Sequence, residues 1–272
     1  MLDSPRDPLL REARSTTRRV ARTFALACRL LPQPQRDDVY RLYLIFRTLD
    51  DLVDERHPEA PARVAAVERW TQSGEAGSRE ARLLDALAGS HPLPRDAVAD
   101  FSRGMRDDLE GRPVATEADL DRNCYRVAGT VGVVMASVLG TRGDVRAEAA
   151  ALGMAMQRTN ILRDIDEDGE NGRVYLARET LDRHGSSAPG RREQLMRDQI
   201  ARADRLYDEG MQGIPALLHG RAAVAAAAVM YREILRQIER EGYGRTPGRA
   251  VVPPRRKLVL AARHGVLGLR GR

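Results

Sequence analysis

The chain has 272 residues, 42% of them hydrophobic, 31% charged and only 4% aromatic, which suits a folded protein whose core is filled by Ala, Val and Leu. The formal charge is +6, and Lys257 is the only lysine among 45 basic residues. The arginines are scattered among 39 acids with no basic block interleaved with aromatics, which argues against a nucleic-acid binder, and two cysteines, Cys28 and Cys124, exclude a disulfide framework.

The predicted elements are helices throughout. The first covers roughly 8–31 and stops at PQP, the second spans about 35–55, and shorter ones follow at 60–72, 78–88 and 94–109. Thr116 reads as an N-cap with Asp119 three positions on, a loose capping box. The helix it opens carries the small-residue run VAGTVGVVMASVLG, which suits either close helix packing or a cavity wall. Another helix runs from near Asp144 into RDIDEDG. An irregular stretch at 169–190, helices at about 191–210 and 220–241, a Gly/Pro-rich link at 242–254 and a short basic tail helix complete an all-α chain. No linker divides it, so a single domain over 1–272 is expected. The N-terminus lacks an apolar signal segment and the longest apolar run is shorter than the ~20 residues a membrane span needs, so a cytoplasmic protein with buried thiols is expected. The tail, PPRRKLVLAARHGVLGLRGR, reads either as an amphipathic helix resting on an anionic membrane or as a packed terminal helix.

In the second helix, Leu42, Ile45, Phe46, Leu49, Leu52 and Val53 form a core stripe. Tyr43, Arg47, Asp50 and Asp54 follow at spacings of four, three and four and share a second face. A solvated Arg–Asp face is the plain reading. Apolar residues cover so much of this helix, however, that the carboxylates are expected to line a cavity, where paired like charges need a cation. A second stripe, Gln157, Asn160, Asp164 and Asp168, has Ile161, Leu162 and Ile165 beside it. Two aspartate pairs are hard oxygen donors that suit Mg²⁺ bridging to substrate phosphates, and Arg47, Arg163 and Arg173 suit bidentate grip on diphosphate oxygens. Residues 164–169 also spell D-x-D-x-D-G, the opening of a calcium loop, but the twelfth position would be Tyr175 in place of the required Glu, which excludes that reading.

These motifs resemble those of the squalene/phytoene synthase family over nearly the whole chain. RTFALACRLLP (22–32) resembles the first-helix signature, with Thr23 where serine is usual. FRTLDDLVDE and QRTNILRDIDEDGENGRVYL are similar to the two aspartate-rich motifs, DLEGRPVATEADLDRNCYRVAGTVG to the central segment, and YREILRQIEREGY with Arg249 and Lys257 to the C-terminal signature. The resemblance implies an isoprenoid synthase fold around a central cavity and ionisation of an allylic prenyl diphosphate by Mg²⁺. It implies metal roles for Asp50, Asp54, Asp164 and Asp168, with Asn160 beside them. Gln157, Arg163, Tyr231 and Arg249 fall among the substrate-binding positions. Departures fall where the cation is steered: Asn123 replaces a usual tyrosine implicated in proton removal, Val20 stands where some relatives have histidine, Val114 where tyrosine is common, and Ala177 where proline is usual. Three functions are expected from this resemblance: 1′–1 coupling of two prenyl diphosphates, with Tyr125 or Tyr231 among the candidate proton acceptors; prenyl transfer to a small aromatic acceptor of carbazole type; and a non-catalytic scaffold. The last is disfavoured by retention of all four aspartates.

Overall fold

In the computed structural model, residues 8–256 together with 259 and 260 are described. Lys257 and most of the basic tail lie outside the described residues, and so does the side chain of Thr23. Thirteen α-helices are present among the described residues: α1 (Pro8–Val20), α2 (Arg22–Cys28), α3 (Gln33–Asp54), α4 (Ala60–Ser73), α5 (Arg79–Ala88), α6 (Arg95–Leu109), α7 (Glu117–Cys124), α8 (Thr130–Leu139), α9 (Arg146–Arg163), α10 (Ile165–Glu170), α11 (Arg178–His184), α12 (Glu193–Met211) and α13 (Arg221–Arg240). None is long and apolar enough to cross a membrane.

Several helix boundaries follow from the sequence alone. The Thr116–Asp119 box closes as expected: the Asp119 amide donates to Thr116 Oγ1 at 3.1 Å and the Thr116 amide to Asp119 Oδ2 at 2.9 Å. Pro34 lies in the first turn of α3, where its missing N–H costs nothing. The core stripe of α3, including Leu42, Ile45, Leu49 and Val53, is buried against α1, α5 and α8.

Three expectations need correction. The helix predicted over 8–31 is two helices, because Ala21 leaves the helical region (φ −111°, ψ 59°) and the chain turns. Between α7 and α8, residues Tyr125–Gly129 form a π-helical turn, whose wider winding resets the face that each following residue presents. The stretch expected to be irregular at 169–190 contains α11.

The layers position two facing walls. α9 packs against α12, α13 and α8, and α8 packs in turn against α3, so α8 joins the two aspartate-bearing helices. Glycine makes the α8–α9 contact close. A Cβ on Gly132 would drive into the Ala149 carbonyl, and one on Gly153 into the Ala128 carbonyl. Ala128, Gly132, Ala149 and Gly153 also line the central cavity, so the small-residue run serves both packing and cavity wall.

Candidate active site

One cavity of about 760 Å³ runs between these walls. Its far wall is apolar, lined by Phe24, Phe46, Val131, Met135, Leu139 and Val224, among others. Its polar end carries all four stripe residues of α3. Arg47 Nη1 donates to Asp50 Oδ2 at 3.3 Å and also pairs with Asp51. One turn on, Arg173 Nη1 donates to Asp54 Oδ1 at 2.9 Å, and its Nη2 reaches the Asp54 carbonyl. The Tyr43 ring stacks obliquely on Phe24, with centroids 5.5 Å apart, and so stands where polar and apolar surfaces meet.

The second wall carries Gln157, Asn160, Asp164 and Asp168, all lining the same cavity. They do not ride on one straight helix. α9 ends at Arg163, Asp164 adopts φ −102° and ψ 10°, and α10 begins anew. The stripe survives the break because the Asp164 amide still donates to the Asn160 carbonyl at 2.9 Å and the Asp168 amide to the Asp164 carbonyl at 2.8 Å. The helical turn of α10 also occupies the place of the supposed calcium loop. Arg163 grips Asp164 bidentately at 2.8 and 2.5 Å, and Arg249 Nε lies 2.9 Å from Asp164 Oδ1. Tyr231 lines the cavity beside them.

The carboxylates are held against their preference. Burial pushes Asp50 up to about 7, and the neighbouring charge of Asp54 adds to it while Arg47 opposes. Burial likewise raises Asp54, opposed by Arg173, and lifts Asp168 to about 6 with help from Asp164. The Asp50 side chain retains 43% exposure. Asp50 is also a lining residue of the cavity. Burial also keeps Tyr43 and Tyr175 protonated, each pushed up to about 12.

The donor set fits a magnesium ion. Among the described residues no three His, Cys, Asp or Glu side chains converge on one point; the carboxylates come as pairs on opposite walls. Mg²⁺ is commonly held by one or two carboxylates, with waters and substrate phosphates completing its shell. Asn160 Oδ1 is buried and has no hydrogen-bond partner among the described residues, so a hard oxygen donor stands ready between Gln157 and Asp164.

The cavity adds residues that counting missed and omits one that the sequence suggested. Asp108 lines it, pushed up to about 6 by burial despite the hydrogen bond from Asn123 Nδ2 at 3.1 Å. Tyr175, Glu167 and Asn171 line it as well. Asp108 had a usable signal: Phe101, Met105 and Asp108 recur at helical spacing, and the first two are core. Asn123 therefore faces the site, tied to a carboxylate. Tyr125 is not among the described residues that line the cavity. The π-helical turn carries its ring onto Gly129, where an added Cβ would come within 3.1 Å of it, and its hydroxyl side to Arg146. Its expected role as proton acceptor loses its geometric basis.

The raised carboxylates make a pH prediction for the metal-free protein. Asp50, Asp54, Asp108 and Asp168 have folded values above the ordinary 3.8. The folded chain therefore holds more protons than the unfolded chain between that value and about 7, and stability falls as pH rises through this window. Carboxylates held low, such as Glu117 and Asp166, act on the acid side of it. A thermal melt without metal should give a lower Tm at pH 8 than at pH 5.5, a difference that Mg²⁺ with inorganic pyrophosphate should shrink. An equal or higher Tm at pH 8 without metal would contradict this account.

Comparison with known proteins gives the family. The squalene/phytoene synthase family model matches residues 17–256. A 15-cis-phytoene synthase of Synechococcus elongatus is 36% identical, covering 91% of this chain and 89% of its own length. A phytoene synthase of Thermus thermophilus is 39% identical over 84% of this chain and 82% of its own. The crystal structure of a dehydrosqualene synthase superposes with a TM-score of 0.85 at 29% identity, covering 97% of both chains. A family match over most of the chain, relatives above 30% identity and a common helical architecture together place this chain in the squalene/phytoene synthase family.

Proposed function

We infer that the chain is a prenyltransferase that couples two allylic prenyl diphosphates 1′–1, releasing both diphosphates, to a phytoene-type hydrocarbon by loss of a proton, or to a squalene-type one where a nicotinamide hydride donor is supplied, in isoprenoid biosynthesis, with Mg²⁺ as its cofactor. The observation that carries this reading is the cavity itself: two aspartate pairs face each other at the polar end of an otherwise apolar chamber of about 760 Å³. Relatives named phytoene synthase, at 36% and 39% identity, support coupling over transfer to an aromatic ring.

The chain's own residues divide the work. Asp50, Asp54, Asp164 and Asp168, with Asn160 Oδ1, would hold Mg²⁺, which neutralises charge developing on the departing diphosphate. Arg47, Arg163, Arg173 and Arg249 bind and orient the diphosphate; each already lies against a site carboxylate. Phe24, Phe46, Val131, Met135 and Leu139 exclude water from the prenyl chain and from the cation formed on it. Tyr43 and Tyr175 hold their protons and act as donors, not bases.

The test is a product assay. Purified protein with Mg²⁺ receives dimethylallyl, geranyl, farnesyl and geranylgeranyl diphosphates, each with and without a carbazole-type acceptor. The expected result is a symmetric hydrocarbon with two diphosphates released per product, independent of the acceptor. A prenylated aromatic as the main product would overturn the coupling reading.

A further inference from the structure

We propose that Asp166 is a positioning residue that clamps the loop at 242–250 onto α10 through Arg192 and thereby sets Arg249 at the aspartate site. The proposal rests on the reading of Arg249 as a diphosphate-binding residue.

Asp166 sits between Asp164 and Asp168 in sequence but does not line the cavity with them. It faces the other way, onto Arg192, whose side chain is only 2% exposed. The pair is bidentate: Arg192 Nη1 to Asp166 Oδ1 at 2.5 Å and Nη2 to Oδ2 at 2.7 Å. Two parallel charge-assisted bonds fix orientation as well as distance. The same carboxylate accepts the Gly248 amide on Oδ2 at 2.8 Å, so one aspartate joins α10, the start of α12 and the C-terminal loop.

The loop is shaped to receive this clamp. Gly242, Tyr243, Gly244 and Gly248 all have positive φ, at 80°, 57°, 75° and 119°. A Cβ on Gly244 would collide with the Arg192 guanidinium, so the backbone passes directly over the buried cation, and the Gly190 amide donates to the Gly244 carbonyl at 3.2 Å. At the loop's first end, Arg197 lies 3.9 Å from the Tyr243 ring centre and donates to its hydroxyl at 2.8 Å. At its other end, Arg249 follows Gly248 directly and reaches Asp164 at 2.9 Å. The tie at Gly248 is thus one residue from the guanidinium that enters the site. Restricting that backbone lowers the ordering cost of engaging a diphosphate.

The test titrates inorganic pyrophosphate, with Mg²⁺ present, into the full chain by calorimetry. Asp166→Asn and Arg249→Gln are each expected to weaken pyrophosphate about tenfold, the range for supporting residues around a metal site. The double variant should stay within about twofold of Arg249→Gln alone, because contacts in one chain of action are not additive. Asp166→Asn leaves Arg192 buried without its charge partner, so Asp166→Asn with Arg192→Gln serves as the second variant, and it should show the same weakening with a native melt. Hydrogen exchange at Gly248 should accelerate in both. A purely structural clamp would move Tm without this coupling to Arg249. If wild type binds pyrophosphate and the Asp166 variants bind equally well, or if the double variant loses about a hundredfold as the product of independent effects, the clamp is overturned. If wild type itself does not bind pyrophosphate, the diphosphate reading falls and the proposal falls with it.

Discussion

Asp50→Asn and Asp164→Asn should each lower the rate of diphosphate release by at least about 10²–10³-fold, the loss found when one preorganised group that stabilises developing charge is removed. Asparagine keeps the shape and one oxygen but removes the charge, so the loss would report chemistry and not packing. The Asp50 substitution makes a sharper prediction because its two effects have opposite signs. Burial and the charge of Asp54 push Asp50 up to about 7, so at pH 8 the ionised group is held in the folded protein at a cost. Removing that charge should raise the metal-free Tm at pH 8 while turnover collapses, as expected where a site is strained for function. A pyrophosphate-release assay and a thermal melt on the same preparation measure both. Turnover within about tenfold of wild type, a loss too small for a main charge-stabilising group, would remove Asp50 from the metal site. A lower Tm at pH 8 would show that its charge is stabilising, against the present account.

The aspartate pairs were legible in the sequence because helical period is a local property: Asp50 and Asp54, like Asp164 and Asp168, need only the four-residue spacing and apolar neighbours. Even the break at Asp164 left that spacing effective, since the backbone bonds on both sides of it persist. Tyr125 was suggested by resemblance and not by helical period, and no period could have placed its ring, because the π-helical turn at Tyr125–Gly129 winds more widely than 3.6 residues per turn. The turn at Ala21 had no local signal, as alanine flanked by RRV and RTF favours a continuous helix; α2 instead packs against α13 along the cavity. Asp166 lies off the cavity face, and its partners Arg192 and Gly248 lie 26 and 82 residues away. Contacts at that separation leave no periodic trace. The same holds for Arg158, which the sequence places beside Gln157 with nothing to mark it, although it holds the second wall together.

Arg158→Met is expected to cost about 3–5 kcal/mol, the penalty for leaving one member of a buried ion pair uncompensated. Arg158 is 2% exposed on its side chain and makes four bonds: to Glu117 Oε2 at 3.0 Å, to Asp121 Oδ1 at 2.6 and 3.3 Å, and to Gln199 Oε1 at 2.8 Å. Glu117 is itself buried. Burial pushes its carboxyl up, but hydrogen bonds from Thr180 and Arg158 outweigh this and hold it below the usual range. Methionine fills similar space and supplies no charge, so the Glu117 carboxylate would lose its chief cation. Arg202, at 3.8 Å and 26% exposed, is too distant and too solvated to replace it. A domain's whole stability is roughly 5–15 kcal/mol, so the urea midpoint should fall steeply. Adding Glu117→Gln removes the orphaned charge and should recover much of the loss, which separates an electrostatic cause from a packing one. A cost below about 1 kcal/mol, the level of an exposed pair, would contradict this network's role. The network joins α7, which leads to Asn123, with α9, which carries Gln157 and Asn160, and with α11 and α12 through Thr180 and Gln199. It touches no cavity residue's functional atoms, so at temperatures where Arg158→Met is still folded its turnover per folded molecule should fall far less than that of Asp50→Asn. The contrast between those two variants separates residues that hold the walls apart from residues that act between them.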